Sequence, residues 1–205
     1  MNHQEPVIKK ALGQQWHRLS PLVKRHYDIT PSKSSNMVIK GVMTEVYHSP
    51  IAKLILLPGR IFGALVPYKG KNVPTIVKNW TTAENHKAMF WHRTLEFKNK
   101  PTVIFKSRME HIKDDEIIEY VRFGMGIRMK MSVENEALIF TSLNYIWQMG
   151  PIKLPIPTWA ILGDANIIEK AISDDEFYID FNMIHPIFGK TFSYSGLFRI
   201  EENSI

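Results

Sequence analysis

Two charged residues stand where the pattern around them calls for apolar ones. Arg93 alternates with Met89, Trp91, Leu95 and Phe97, and Glu119 alternates with Ile117 and Val121. Residues two apart in a strand share a face, so both charges are expected to point into an apolar interior. Left unpaired there, each would cost on the order of several kcal/mol. Pairing with each other, with a ligand or with ordered water follows. The same rule turns Ser107 and His111 inward on the intervening strand. It also turns Tyr194 inward on the last strand, whose phase is set by Phe192, Phe198 and Ile200.

This constellation supports three kinds of chemistry. In the first, Arg93 and Glu119 form a buried pair that fixes the register of neighbouring strands, with His111 and Tyr194 completing the hydrogen bonds. In the second, Arg93 and Tyr194 hold the polar head of an apolar or amphipathic small molecule, with Glu119, Ser107 and His111 in the same set. Trp91, Phe123, Met125, Met129 and Phe181 then line the tail pocket, methionine being adaptable to varied shapes. In the third, His111 or Glu119 is the general base of a small-molecule enzyme. Non-catalytic binding is the expectation. The eight histidines are scattered, with no HExxH pair, and there is no GxSxG nucleophile motif. Gly124-Met125-Gly126 is too short to cradle a phosphate. No cofactor or metal is expected.

The elements that must position these residues are mostly strands. From Glu116 to Gln148, two runs of period two face each other across Glu134, Asn135 and Glu136. A turn centred on Asn135 sets Met131 opposite Ile139 and Phe123 opposite Trp147, making one apolar face from the odd positions. Other candidate strands are Met37–Tyr47, Thr75–Thr82, Lys87–Phe97, Thr102–His111, Trp159–Ile172, Phe177–Ile184 and Thr191–Ile200. Ile117–Val133 is read as one long strand that Gly124 and Gly126 could divide. Short connections throughout predict an antiparallel up-and-down barrel or strongly curved sheet of about nine strands, lipocalin-like or fatty-acid-binding-protein-like. The competing arrangement wraps a curved sheet round a long C-terminal helix, but Thr191–Ile200 alternates like a strand.

Helical spacing of Val7, Ile8, Ala11 and Leu12 predicts a short N-terminal helix. Ser20 with Pro21 supplies the cap and first turn of a second, running through His26. These helices are expected to pack outside the sheet or across one open end. After the first strand, Ile51–Val66 is almost wholly apolar apart from Lys53 and Arg60 and is broken by Pro58 and Gly59. It reads as a helical or loop insertion acting as a plug, a ligand portal or a peripheral membrane contact. Gly150–Pro157, with three prolines, is expected to be an extended corner at the barrel rim that cannot form a regular ladder.

With 205 residues, 44% of them hydrophobic, the chain is long enough to bury a full core as one domain. Cysteine is absent, which excludes disulfides, thiolate metal sites and a cysteine nucleophile. The net charge of +6 would suit nucleic acid if it were clustered in sequence, but lysines and arginines recur singly between apolar residues, so nucleic-acid binding is not expected. No stretch has the apolar core of a signal peptide or the length of a membrane span, and a cytoplasmic protein is the simplest expectation. The oligomeric state is open.

Several short motifs together resemble a bacterial family known as domain of unknown function 4166. They are Leu12, Gly13, Trp16, Arg18, Leu19, Pro21 and His26 near the start, then Trp91, Arg93, Phe97, Phe105 and Ser107. Glu119 before Phe123 and Gly124 follows, and Gly189, Tyr194, Gly196 and Leu197 close the chain. The resemblance implies a self-contained domain with no assigned activity. Because members of that family also occur attached to dehydrogenase-like NAD-binding modules, it implies a further alternative: an accessory domain for such a partner.

Overall fold

The period-two runs fold into eleven strands of one continuous sheet. The computed structural model describes residues 5–31, 36–54 and 66–201. Its strands are β1 (Asn36–His48), β2 (Gly70–Trp80), β3 (Ala88–Leu95), β4 (Val103–Lys113), β5 (Glu116–Tyr120), β6 (Met125–Glu134), β7 (Ala137–Met149), β8 (Ile152–Ile156), β9 (Asp164–Ala171), β10 (Glu176–His185) and β11 (Gly189–Glu201). Each from β1 to β7 pairs antiparallel with the next, and β7 then pairs with β9, followed by β10 and β11. β11 returns to β1 from Val38↔Glu201 to His48↔Phe192. Ten strands thus close a barrel with no free edge, and β8 is an extra strand attached to the end of β7.

At the closing seam, Gly41 lies opposite Phe198. A Cβ at Gly41 would stand 2.1 Å from the Leu197 carbonyl oxygen and 2.5 Å from the Phe198 ring. The seam closes this tightly only because that side chain is missing.

Three sequence expectations are corrected. Ile117–Val133 is not one strand: the chain reverses through Arg122–Gly124, where Phe123 and Gly124 have φ of 57° and 75°, so β5 and β6 form a hairpin. The Asn135 turn also has a different register. Asn135 and Glu136 both take positive φ, the geometry of a two-residue hairpin loop, which pairs Glu134 with Ala137 and Met131 with Phe140, not Ile139. One residue of slip exchanges the faces of a strand. Leu138, Phe140 and Ser142 therefore face inward, until a bulge at Leu143 restores the odd phase at Tyr145. Trp147 accordingly meets Met125 instead of Phe123. The proline-rich corner also holds a regular strand: β8 pairs with β7 alone, and an edge position tolerates Pro155.

Successive connections alternate between the two ends of the barrel. One end is filled by the N-terminal segment, α1 (Val7–Leu12), a 3-10 turn (Gly13–Arg18) and α2 (Pro21–Tyr27). Ser20 caps α2 by accepting from the Val23 amide at 3.3 Å. The segment is pinned to the β6–β7 hairpin by Ser20 N–H donating to the Glu136 carbonyl and Val133 N–H donating to Gln15 Oε1, both at 3.1 Å. Ile8, Leu12, Trp16, Leu22 and Val23 are buried in the same apolar core as the barrel interior. At the other end, Ser49 caps a helical turn, residues 50–54, after β1. Most of the apolar insertion expected at Ile51–Val66, residues 55–65, lies outside the described residues. No described helix is long and apolar enough to cross a membrane.

At Gly124 a Cβ would stand 2.1 Å from the Gln148 carbonyl oxygen, on a backbone with positive φ. Gly124→Ala should destabilise the fold by about 2–4 kcal/mol, measured by urea denaturation. A loss below about 0.5 kcal/mol, the ordinary surface value, would show that the β5–β6 turn does not pack against β7 in this way.

Candidate functional site

Inward-facing strand positions bring Arg93, Ser107 and Glu119 together from β3, β4 and β5. Arg93 Nη1 donates to Ser107 Oγ at 2.8 Å, and Arg93 Nη2 donates to Glu119 Oε1 at 3.1 Å. Ser107 Oγ in turn donates to the same Glu119 oxygen at 2.6 Å. The guanidinium lies over the Trp91 ring at 4.6 Å and near Phe105 at 5.4 Å. A charge held against aromatic faces and answered by a carboxylate is tolerable at low exposure. The side chains of Arg93 and Glu119 retain 14% and 13% of their surface.

A second polar network was not anticipated. His26 from α2 places Nδ1 2.6 Å from Glu169 Oε1, and Tyr27 donates its hydroxyl to Glu169 Oε2 at 2.8 Å. Asn79 on β2 stands with its amide nitrogen 2.9 Å from His26 Nε2. With Asn79 donating there, the imidazole proton is on Nδ1 and points at Glu169. His26, Tyr27, Asn79 and Glu169 are all buried. The network ties α2 to the barrel wall. It also engages both imidazole nitrogens.

The signals for this network were present in the sequence. Glu169 shares the parity of Ala165, Ile167 and Ala171, and Asn79 that of Val73, Thr75 and Val77. His26 and Tyr27 extend the helical stripe of Leu22 and Val23.

The two networks face a common cavity of about 50 Å³, whose lining includes His26, Tyr27, Trp91, Arg93, Glu119, Glu169 and Tyr194. Its apolar wall includes Met43, Val77, Met109, Phe140, Phe177 and Phe198. One water needs about 10–15 Å³ on this measure, so the space takes about three to five water-sized groups. Burial, with the carboxylates of Glu119 and Glu169 adding to it against Arg93, pushes the Tyr194 hydroxyl up to about 12. Burial and then Glu169 hold Tyr27 well above the ordinary tyrosine value. Both stay protonated at neutral pH.

The expected site residues divide. Arg93, Glu119, Tyr194 and Trp91 line the cavity, Ser107 bridges two of them, and Phe181 packs edge-on against Tyr194 at 5.0 Å. Met129 faces inward and is 0% exposed, but it belongs to solid core outside the cavity lining. His111 lies away from the cavity near the end of β4, with Nε2 2.9 Å from the Asp114 carbonyl. Phe123 occupies the β5–β6 turn and is 59% exposed, because the chain reverses there. Met125 begins β6 at the rim, half-buried. Among the described residues there is no cluster of three histidines or carboxylates able to hold a metal ion.

A family model described as Domain of unknown function (DUF4166) matches residues 19–198. Neither the curated proteins nor the solved structures include a match.

Removing the carboxylate from the α2 anchor leaves His26 and Tyr27 without their shared acceptor, so Glu169→Ala should cost about 3–5 kcal/mol in urea denaturation. The raised tyrosines also set an alkaline limit. The unfolded chain loses phenolic protons near pH 10 while folded Tyr27 and Tyr194 keep theirs, so stability should fall as pH rises through about 10 to 12. Tyr194→Phe should shallow that fall; an unchanged slope would remove Tyr194 from the cause.

Proposed function

The chain belongs to the family described as Domain of unknown function (DUF4166), and from the interior of its barrel we propose that it binds a small, uncharged, mostly apolar molecule bearing a hydroxyl or carbonyl group. The observation that carries this reading is the Tyr194 hydroxyl. It belongs to a residue lining the cavity, it stays protonated, and it makes no hydrogen bond to a side chain among the described residues, whereas Arg93, Glu119 and Glu169 beside it are already engaged. The buried Trp91 indole N–H and the Asn79 amide oxygen likewise have no partner among the described residues. Trp91 lines the same cavity.

Charge and volume narrow the ligand. Glu119 already answers Arg93, and Glu169 faces the same space, so a further anion would gain little. A neutral oxygen can accept from Tyr194 and from the unused N–H groups of Arg93. Of the methionines expected to surround a long tail, Met129 is packed into solid core and Met125 lies at the rim, and about 50 Å³ suits a short-chain or small cyclic molecule, or the polar end of a larger one. A fatty acid lying along the barrel axis does not fit this space.

Cyclopentanol and cyclopentanone are suitable probes, followed through the Trp91 indole N–H signal by NMR. Both should shift it with saturation. Tyr194→Phe should weaken binding by about fivefold to tenfold, the equivalent of one hydrogen bond, without loss of fold. Arg93→Leu should lose stability as well, because it strands Glu119. No saturable shift with either probe, together with native mass spectra showing the polypeptide alone after purification from cells, would end this reading.

A further inference from the structure

The two ends of the barrel differ in kind. One is filled by α1 and α2. The other carries the connections β1–β2, β3–β4, β5–β6, β7–β9 and β10–β11, and most of the exposed apolar surface gathers there. Of the sixteen large apolar side chains left exposed among the described residues, ten lie at this end and two, Ile112 and Ile172, at the plugged end. Leu54, Phe123, Trp159 and Ile187 project from four different connections at 67%, 59%, 62% and 78% exposure. The β7–β8 ribbon adds Trp147 and Ile152, which share one face of the paired strands.

Charge follows the same division. Residues 49–54, 66–71, 96–102, 121–124, 147–164 and 184–190 contain eight lysines and arginines, Lys53, Arg122, Lys153 and Lys190 among them, against two acids, Glu96 and Asp164. Three connections of the plugged end carry instead Asp114, Asp115, Glu134, Glu136, Asp174 and Asp175, which outweigh the excess of Lys9, Lys10, Arg18, Lys24 and Arg25 over Glu5 and Asp28 in the helical segment there. The net charge of +6 looks dispersed along the chain, but the fold gathers these eight basic residues, opposed by only two acids, on the rim that also bears the exposed aromatic and aliphatic tips.

We propose that this rim docks on an anionic lipid bilayer, with Phe123, Trp159, Ile187 and the β7–β8 ribbon entering the interface and the lysines at headgroup level. Tryptophan is the side chain best suited to that boundary. Basic residues near an anionic leaflet each add attraction within a Debye length. Apolar tips carried on separate connections, interleaved with lysine, fit a deformable surface, whereas a protein partner usually requires one contiguous patch with few charges at its core. Docking here is independent of the ligand reading above.

The test is flotation of the full chain with vesicles of phosphatidylcholine alone and of phosphatidylcholine with phosphatidylserine, alongside light scattering without lipid. The protein should float with the phosphatidylserine vesicles and lose that association as salt is raised. Trp159→Ser with Ile187→Ser, both exposed and each checked for an unchanged melting temperature, should reduce partitioning by about tenfold or more. Lys153→Glu with Lys190→Glu should abolish the preference for phosphatidylserine. Absence of flotation with both compositions, or flotation indifferent to all four substitutions, would overturn the proposal. So would a dimer dispersed by the Trp159 and Ile187 substitutions in a protein that does not bind vesicles, since the rim would then belong to a second copy of the chain.

Discussion

A charge inside a barrel has to be answered by the barrel itself, and this structure is arranged around two such answers. Arg93, Ser107 and Glu119 link three consecutive strands through side chains. Glu169 links β9 to α2 through His26 and Tyr27, with Asn79 reaching His26 from β2. Each network works as a register pin. A slip of one residue in β3, β4 or β5 would send one partner outside and leave the other stranded, which costs far more than an apolar mismatch. Apolar packing alone tolerates many rearrangements of similar volume; these polar contacts single out one.

The same polar residues explain why the interior is not filled solid. Guanidinium, carboxylate and phenol groups held by mutual hydrogen bonds cannot collapse onto each other as methyl groups can. A small space persists between the two networks, walled by Phe140, Phe177 and Phe198. The position of the cavity follows from the polar pins, and so does its chemistry, because the groups facing it are those whose hydrogen-bonding capacity the pins do not exhaust.

Strand parity made much of this legible. Arg93, Ser107, Glu119 and Tyr194 are placed where the period-two rule directs them, since β3, β4, β5 and β11 alternate without interruption over those residues. The rule failed where a turn or bulge changed the count. Phe123 keeps the parity of Val121 in the sequence, yet the chain reverses between them and Met125. In β7 the two-residue loop at Asn135 and Glu136 shifts the register by one, so Phe140 reaches the cavity in place of Ile139. Backbone angles at two residues, which composition does not announce, reassign a whole half-strand. Glu169 carried the same signal as Glu119. Its partners lie 143 and 142 positions away on a helix, a distance no local pattern bridges.

Closure of the barrel rests on β1 meeting β11, the first and last of its strands in order of synthesis. Until β11 has been synthesised, the growing sheet keeps two open edges and its inner face is uncovered, so the nascent barrel is exposed to misassociation throughout that interval. A topology so dominated by the pairing of distant segments also has high contact order, which places such a chain among the slower folders of its size.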